Sequence, residues 1–178
     1  MKSDLTRICI CSGNKETDIS RADTGITYRE SLENKVPIRI LGAGPELDLA
    51  IKNYNLFKDN KISEKEYSEI LDHLDQHIGL YNYVIEKTGE IPETITKPTT
   101  LVQNVLYGFQ DFEKGTFAIV TEPWHYEKFN WIQQVLKKRG KISGNLEFFN
   151  VASPDTNYYS PIQKILSNIK SRAELMTI

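Results

Sequence analysis

The sequence predicts an α/β fold, a three-layer sandwich with a mainly parallel, doubly wound sheet of four to five strands and a helical insert. Short apolar runs alternate with amphipathic stretches along the chain, a pattern typical of a parallel sheet covered by helices on both faces. The runs are continuous rather than alternating, as expected for strands buried on both sides. We therefore treat residues 1–178 as one domain with an insert at about 46–88.

The predicted strands are apolar runs that end in turn residues. Gly13-Asn14 ends the first run and a glycine pair, Gly42 and Gly44, ends the second, because glycine permits the tight turn that leaves a strand. The four runs cover 7–12, 37–41, 116–121 and 146–151, and the short segment 91–97 is a weaker candidate for a fifth strand.

The predicted helices follow from apolar spacing and end signals. Pro45 suits the first turn of a helix to about 57, and Ser63 with Glu66 has the spacing of a capping box ahead of a long helix to 88. These two helices form the insert. The other predicted helices cover 21–32, 100–109, 123–139 and 160–169.

Composition excludes several classes of protein. The apolar content is 39% and no run approaches the roughly 20 apolar residues of a membrane span, so no membrane partner is expected. The formal charge of −2 gives no broad attraction to nucleic acid. The amino terminus lacks a long apolar region, so we expect a cytoplasmic protein; its oligomeric state stays open.

The cysteines and two of the histidines do not predict a metal site. Cys9 and Cys11 are two apart in one strand, so they share a face but diverge too far for an easy disulfide, and we predict buried thiols. His73 and His77 are four apart on a predicted helix, a spacing that can hold zinc, but no clear third ligand accompanies them.

The strand-to-helix junction at 117–128 is the most informative segment. A helix start offers unpaired N–H groups and partial positive charge, and Thr121, His125 and Lys128 converge there. His125 could act as a general base or bind an anion; otherwise it is a helix-start histidine bonded to a carbonyl. Glu122 could bond ribose hydroxyls or transfer a proton; otherwise it is a solvated carboxylate.

Two glycine turns follow the first two strands, at what a parallel sheet makes one edge. Ser12, Gly13 and Asn14 form the first turn, and Gly42 and Gly44 belong to the second, so their backbone N–H groups could approach a phosphate or carboxylate. The other interpretation is an ordinary turn, since neither matches a complete phosphate-binding motif. Further candidate ligand-binding residues are Arg21, Thr100 and Asn104.

These loops resemble the SanA/YdcF-like domain family, largely of unknown function, which is also seen in ElyC-like envelope-biogenesis proteins. That family has a strand with Thr, then His four residues on and Arg three further. Here the segment is Thr121, His125 and Lys128, and lysine keeps the charge of arginine without its bidentate geometry. The turn from Gly42 to Gly44 stands in for the family's second glycine loop.

The other family positions match less closely. The segment from Thr100 to Asn104 resembles a Thr-x-Glu-Asn motif with Thr displaced by one position and Gln103 in place of the acid, and Arg21 corresponds to an arginine after the first strand. The resemblance implies a Rossmann-like sandwich with a cleft above the strand ends, for which nucleotide-like molecules, S-adenosylmethionine included, are reasonable ligands.

The sequence therefore favours a protein that binds a nucleotide-like or other anionic small molecule at the carboxyl ends of the strands. Transfer or hydrolysis through His125 would be the catalytic version. One alternative is a non-catalytic interaction or regulatory module, suggested by the helical segment 63–88. Another is an S-adenosylmethionine-binding protein, which is disfavoured because Leu41 runs directly into Gly42 with no acidic ribose-binding residue.

Overall fold

The structure is a computed structural model that describes residues 5–13, 15–42, 52–53, 55–67, 77–95, 100–155 and 160–178. Its centre is one five-stranded sheet in which every neighbouring pair is parallel. The strands are β1 (Leu5–Cys11), β2 (Ile38–Leu41), β3 (Glu93–Ile95), β4 (Gly115–Thr121) and β5 (Leu146–Ala152), in the spatial order β3-β2-β1-β4-β5.

Helices cover both faces of this sheet, which confirms the predicted three-layer α/β sandwich. The described helices are α1 (Lys15–Glu30), α2 (His77–Thr88), α3 (Leu101–Phe109), α4 (Pro123–Lys138) and α5 (Pro161–Leu175). Alternate strand residues enter two cores, because successive side chains of a strand point to opposite faces. Ile8 and Ile10 pack with α1 and α2, whereas Cys9 and Cys11 pack with α3 and α4.

The first helix begins six residues earlier than its apolar pattern predicted. The prediction of 21–32 was wrong because the side of α1 that faces the sheet carries buried polar residues at its start. Thr17, Asp18 and Arg21 are each 1% exposed, and they interrupt the apolar spacing that marks a buried helix face.

The other elements lie close to their predicted positions. The weak fifth strand is β3, at the edge of the sheet, and α5 continues to Leu175 rather than ending at 169. Of the predicted insert, residues 52–53, 55–58, 64–67 and α2 are helical, while most of the helix predicted at 45–57 and the middle of the helix at 63–88 lie outside the described residues.

Cys9 and Cys11 are buried free thiols on the same face of β1, as predicted. Burial raises the pKa of Cys11 to about 12 and the pKa of Cys9 further, so neither thiol supplies a thiolate near neutral pH. In the part of the chain that the structure describes, no helix has the length and apolarity needed to cross a bilayer.

The order of the strands places the candidate site. The chain moves outward from β1 to β2 and β3, then returns through α3 to pair β4 with the other side of β1. Such a switch point opens a crevice at the carboxyl ends of the two central strands, where open α/β sheets bind ligands. The turn after β1 and the junction between β4 and α4 border this crevice.

Candidate functional site

A buried ion pair joins the two sides of the switch point. The Arg21 guanidinium, from α1, donates from Nε to Glu122 Oε1 at 3.1 Å and from Nη2 to Glu122 Oε2 at 2.5 Å. Its Nη1 donates to the carbonyl oxygen of Cys11 at 2.6 Å. Both side chains are 1% exposed, so the pair is removed from solvent and its geometry is fixed by two parallel hydrogen bonds.

Glu122 is turned away from the helix that it begins. It is the N-cap residue of α4 with extended backbone angles, yet its side chain makes no capping hydrogen bond, and Pro123 follows in the first turn. The carboxylate instead faces Arg21 across the sheet edge. The pair with Arg21 therefore replaces the capping role that a residue at this position usually has.

Thr121 extends this network to His125. Its hydroxyl lies 2.7 Å from His125 Nδ1 and 3.3 Å from Glu122 Oε2, and the residue is fully buried at the last position of β4. Arg21, Glu122, Thr121 and His125 thus form one continuous chain of polar contacts. It runs from α1, across the ends of the central strands, to the first turn of α4.

The imidazole of His125 is held neutral. Burial lowers its pKa well below the ordinary value near 6.5, and the positive charges of Arg21 and Lys128 lower it further. A neutral imidazole has one N–H and one nitrogen lone pair, so it can accept a hydrogen bond or a proton. Since Nδ1 contacts Thr121, Nε2 is the ring nitrogen that a ligand could reach.

The turn after β1 is built around close contacts with α1. A Cβ atom at Gly13 would lie 2.6 Å from Thr17 Oγ1 and 2.9 Å from Arg21 Nη1, so only glycine fits there. The Gly13 N–H donates to the Asp18 carboxylate. This backbone N–H, a candidate for binding an anionic ligand, therefore binds a carboxylate of the protein itself.

A second turn lies beside it, after β2. The Ser12 hydroxyl donates to the carbonyl oxygen of Gly42 at 2.7 Å, and Gly42 has a φ of 95°, a left-handed conformation that favours glycine. A Cβ at Gly42 would lie 2.9 Å from Asn104 Nδ2. The sheet edge thus brings Ser12 and Gly42, which follow neighbouring strands, together with Asn104 of α3.

Two polar atoms near this edge are buried without a partner. Asn104 Oδ1, in the first turn of α3, and Ser153 Oγ, just after β5, are both inaccessible to solvent and make no hydrogen bond to a described residue. The Ser153 N–H donates to the Thr121 carbonyl, which places Ser153 next to the end of β4. A buried polar atom without a partner costs stability, so each is a position where a ligand could supply the missing contact.

Two predicted ligand-binding residues point into the protein instead. The Lys128 ammonium donates to the Ser167 carbonyl and hydroxyl of α5 at 2.9 and 2.6 Å, and burial lowers its pKa to about 8. The Thr100 hydroxyl caps α3 and donates to Glu174 of α5 at 2.6 Å. Both side chains hold α5 in place.

The remaining predicted residues, Asn14 and Gly44, lie outside the described part of the chain. Sequence reasoning missed Thr17, Asp18 and Ser153. The sequence carried a signal for Thr17 and Asp18. They lie four and five positions after Gly13, where the helix that follows the first strand turns a side towards the sheet. Within the ranges that the structure describes, no three histidine, cysteine or carboxylate side chains gather as a metal site.

Comparison of the chain with protein-family models, with curated proteins and with solved structures finds no match. The resemblance to SanA/YdcF-like domains therefore stays a prediction. What this chain does has to be inferred from the geometry at the carboxyl edge of its sheet.

Proposed function

We propose that this protein binds a small polar ligand at the switch point between β1 and β4, with the neutral imidazole of His125 as its central contact. The observation that carries the proposal is the chain of polar contacts from Arg21 through Glu122 and Thr121 to His125, in which the first three residues are fully buried. A fully desolvated ion pair contributes little to stability compared with apolar packing, so its presence at a ligand-binding position of the fold favours a role in positioning.

The network assigns a specific protonation to the imidazole. The Glu122 carboxylate can only accept hydrogen bonds, so the single proton of the Thr121 hydroxyl is directed to Glu122 Oε2. The Thr121 oxygen then accepts from Nδ1–H, and Nε2 keeps its lone pair. In this state His125 accepts a hydrogen bond from a ligand hydroxyl or amine, or takes its proton as a general base.

The ligand class follows from which charged side chains are already bonded within the protein. Arg21 is paired with Glu122, and Lys128 is bonded to Ser167, so neither predicted cation reaches out to clamp a phosphate. The groups that remain favour hydrogen bonding to a neutral part of the ligand, such as a ribose or sugar hydroxyl. Nucleotides, sugar phosphates and S-adenosylmethionine all carry such hydroxyls and are the compounds to test first.

A thermal-shift screen with these compounds tests the proposal, because a ligand bound only to the native state raises stability by about 2.7 kcal/mol at 100 times its Kd. We expect the shift to disappear in His125→Ala and to persist in Thr116→Val, a control at the opposite end of β4. His125→Gln keeps a hydrogen-bonding group without a base, so retained binding with lost turnover would identify catalysis. A shift that survives His125→Ala would place the ligand elsewhere.

A further inference from the structure

The last helix, α5, exposes a continuous apolar surface. Its large side chains on the solvent side are 58 to 83% exposed, and they belong to neither core cluster of the described residues. They recur at spacings of three, four and seven, which puts them on one stripe of the helix. We call this stripe the outer face of α5; it consists of Ile162, Ile165, Leu166, Ile169, Ala173 and Met176.

The opposite side of α5 is mostly polar and holds the helix against the domain. Ser167 accepts from Lys128, Glu174 accepts from Thr100, and Lys164 lies 3.4 Å from Asp155. Leu175 is the large apolar residue buried on this side. The orientation is the reverse of an ordinary surface helix, which buries its apolar stripe, so the apolar side of α5 is left for another contact.

The size of the outer face matches what a stable interface needs. The largest apolar patch of a monomeric protein is typically about 300–600 Å², and a standard interface buries about 800 Å² on each partner. Five large aliphatic side chains at more than half exposure supply most of such an area. Trp131, 37% exposed beneath the Arg172 guanidinium, lies beside the stripe and extends it.

We propose that the outer face of α5 is the contact between two copies of this chain, paired antiparallel about Ile169. Four residues of the stripe are placed symmetrically about Ile169. Ile162 and Met176 lie seven residues on either side of Ile169, and Ile165 and Ala173 lie four residues on either side. An antiparallel two-fold pairing therefore sets these apolar residues opposite one another, as an isologous interface requires, and it sets Leu166 opposite Arg172.

The arrangement of charge favours a second copy over an anionic membrane. A membrane-bound amphipathic helix carries several lysines or arginines on a solvated polar face. In α5 that face is turned to the domain, where Lys164 is paired with Asp155. Of the two cations that flank the stripe, Arg172 already lies over the Trp131 ring, so Lys170 alone extends outward.

Sedimentation velocity of the full chain across a wide range of concentrations tests the proposal. We expect a monomer–dimer equilibrium that Ile169→Asp weakens at least about 30-fold, the effect of a 2 kcal/mol interface residue. Asn168→Asp, which adds the same charge one position off the stripe, should leave the equilibrium nearly unchanged. A chain that stays monomeric at every concentration, or equal effects of the two variants, would overturn the proposal.

Oxidative cross-linking tests the register without depending on a destabilised variant. A disulfide should join Ile169→Cys to its own copy, whereas Ile162→Cys should cross-link only to Met176→Cys. The native cysteines are buried and do not interfere. Cross-linking of Ile162→Cys to itself would contradict the antiparallel pairing. Co-sedimentation of the protein with anionic vesicles, in the absence of a dimer, would assign the face to a membrane instead.

Discussion

The carboxyl edge of the sheet and the outer face of α5 depart from the usual distribution of side chains in opposite directions. At the sheet edge, an arginine, a glutamate and a threonine are fully buried, whereas on α5 four isoleucine and leucine side chains are more than half exposed. Both arrangements cost the isolated fold stability that ordinary packing would provide. We therefore propose that both regions make contacts outside the chain, the sheet edge with a ligand and α5 with a second copy.

The largest effect should come from breaking the buried pair at the sheet edge. Glu122→Ala leaves the Arg21 charge without its partner in the interior, and we expect a loss of about 3–5 kcal/mol in the free energy of unfolding, measured by urea denaturation. The control is Asp59→Ala, because the side chains of the Lys61–Asp59 pair are 63% and 58% exposed, so neither charge is left buried. Equal losses of stability in the two variants would contradict the expected cost of leaving a buried Arg21 charge unpaired.

The two sides of α5 should respond differently to truncation. Leu175→Ala removes a side chain that is 3% exposed, and we expect it to cost about 2–5 kcal/mol. Ile169→Ala removes a side chain that is 58% exposed, and its effect should stay within about 0.5 kcal/mol when the chain is dilute enough to be monomeric. A large loss from Ile169→Ala in the monomer would mean that the outer face is packed within its own chain.

Removal of a threonine hydroxyl should destabilise the protein at the sheet edge but not at the other end of β4. Thr121→Val deprives Glu122 and His125 of their shared partner, and we expect a loss of about 1–3 kcal/mol from unsatisfied buried groups. Thr116→Val should be close to neutral, since the Thr116 hydroxyl makes no hydrogen bond to a described residue. Chemical denaturation of both variants measures the difference; no difference would remove Thr121 from the network.

The pH dependence of stability should report the neutral imidazole. The folded-state pKa of His125 is depressed, so the unfolded chain binds more protons below pH 6.5. The stability that the neutral His125 contributes to the folded state is therefore present above pH 6.5. It is lost as the pH falls below 6.5, at up to about 1.4 kcal/mol per pH unit. His125→Gln should lose less stability than the wild type between about pH 7.5 and pH 5. Thermal unfolding at several pH values measures this difference. An equal loss of stability in the two proteins would contradict a depressed pKa of His125.

Most of the fold could be predicted because apolar spacing reports burial. The continuous apolar runs of β1 and β4 and the capped helices gave the parallel sheet and its covered faces. The start of α1 could not be predicted in this way, because Thr17, Asp18 and Arg21 occupy its buried side and hide the pattern. The same residues border the candidate site, so the pattern failed where the polar network begins.

The location of the candidate site could be predicted from the sequence, but the hydrogen-bond partners of its side chains could not. Strand ends in a parallel sheet share one edge, so Ser12, Gly42 and Thr121 could be grouped from sequence. The pairing of Arg21 with Glu122 could not, because 101 residues separate them and either side chain alone would suit a solvent-exposed role. Lys128 shared the helix turn of His125 in sequence, yet only the position of α5 reveals that its ammonium binds Ser167.

The measurement that tests the central claim most directly is nitrogen NMR of the His125 imidazole as a function of pH, in the wild type and in Thr121→Val. The network predicts a neutral ring at pH 6.5 with its proton on Nδ1, and a shift of the tautomer and of the pKa when the Thr121 hydroxyl is removed. A ring that titrates near 6.5 in both proteins, or that carries its proton on Nε2, would contradict the proposed role of the buried network.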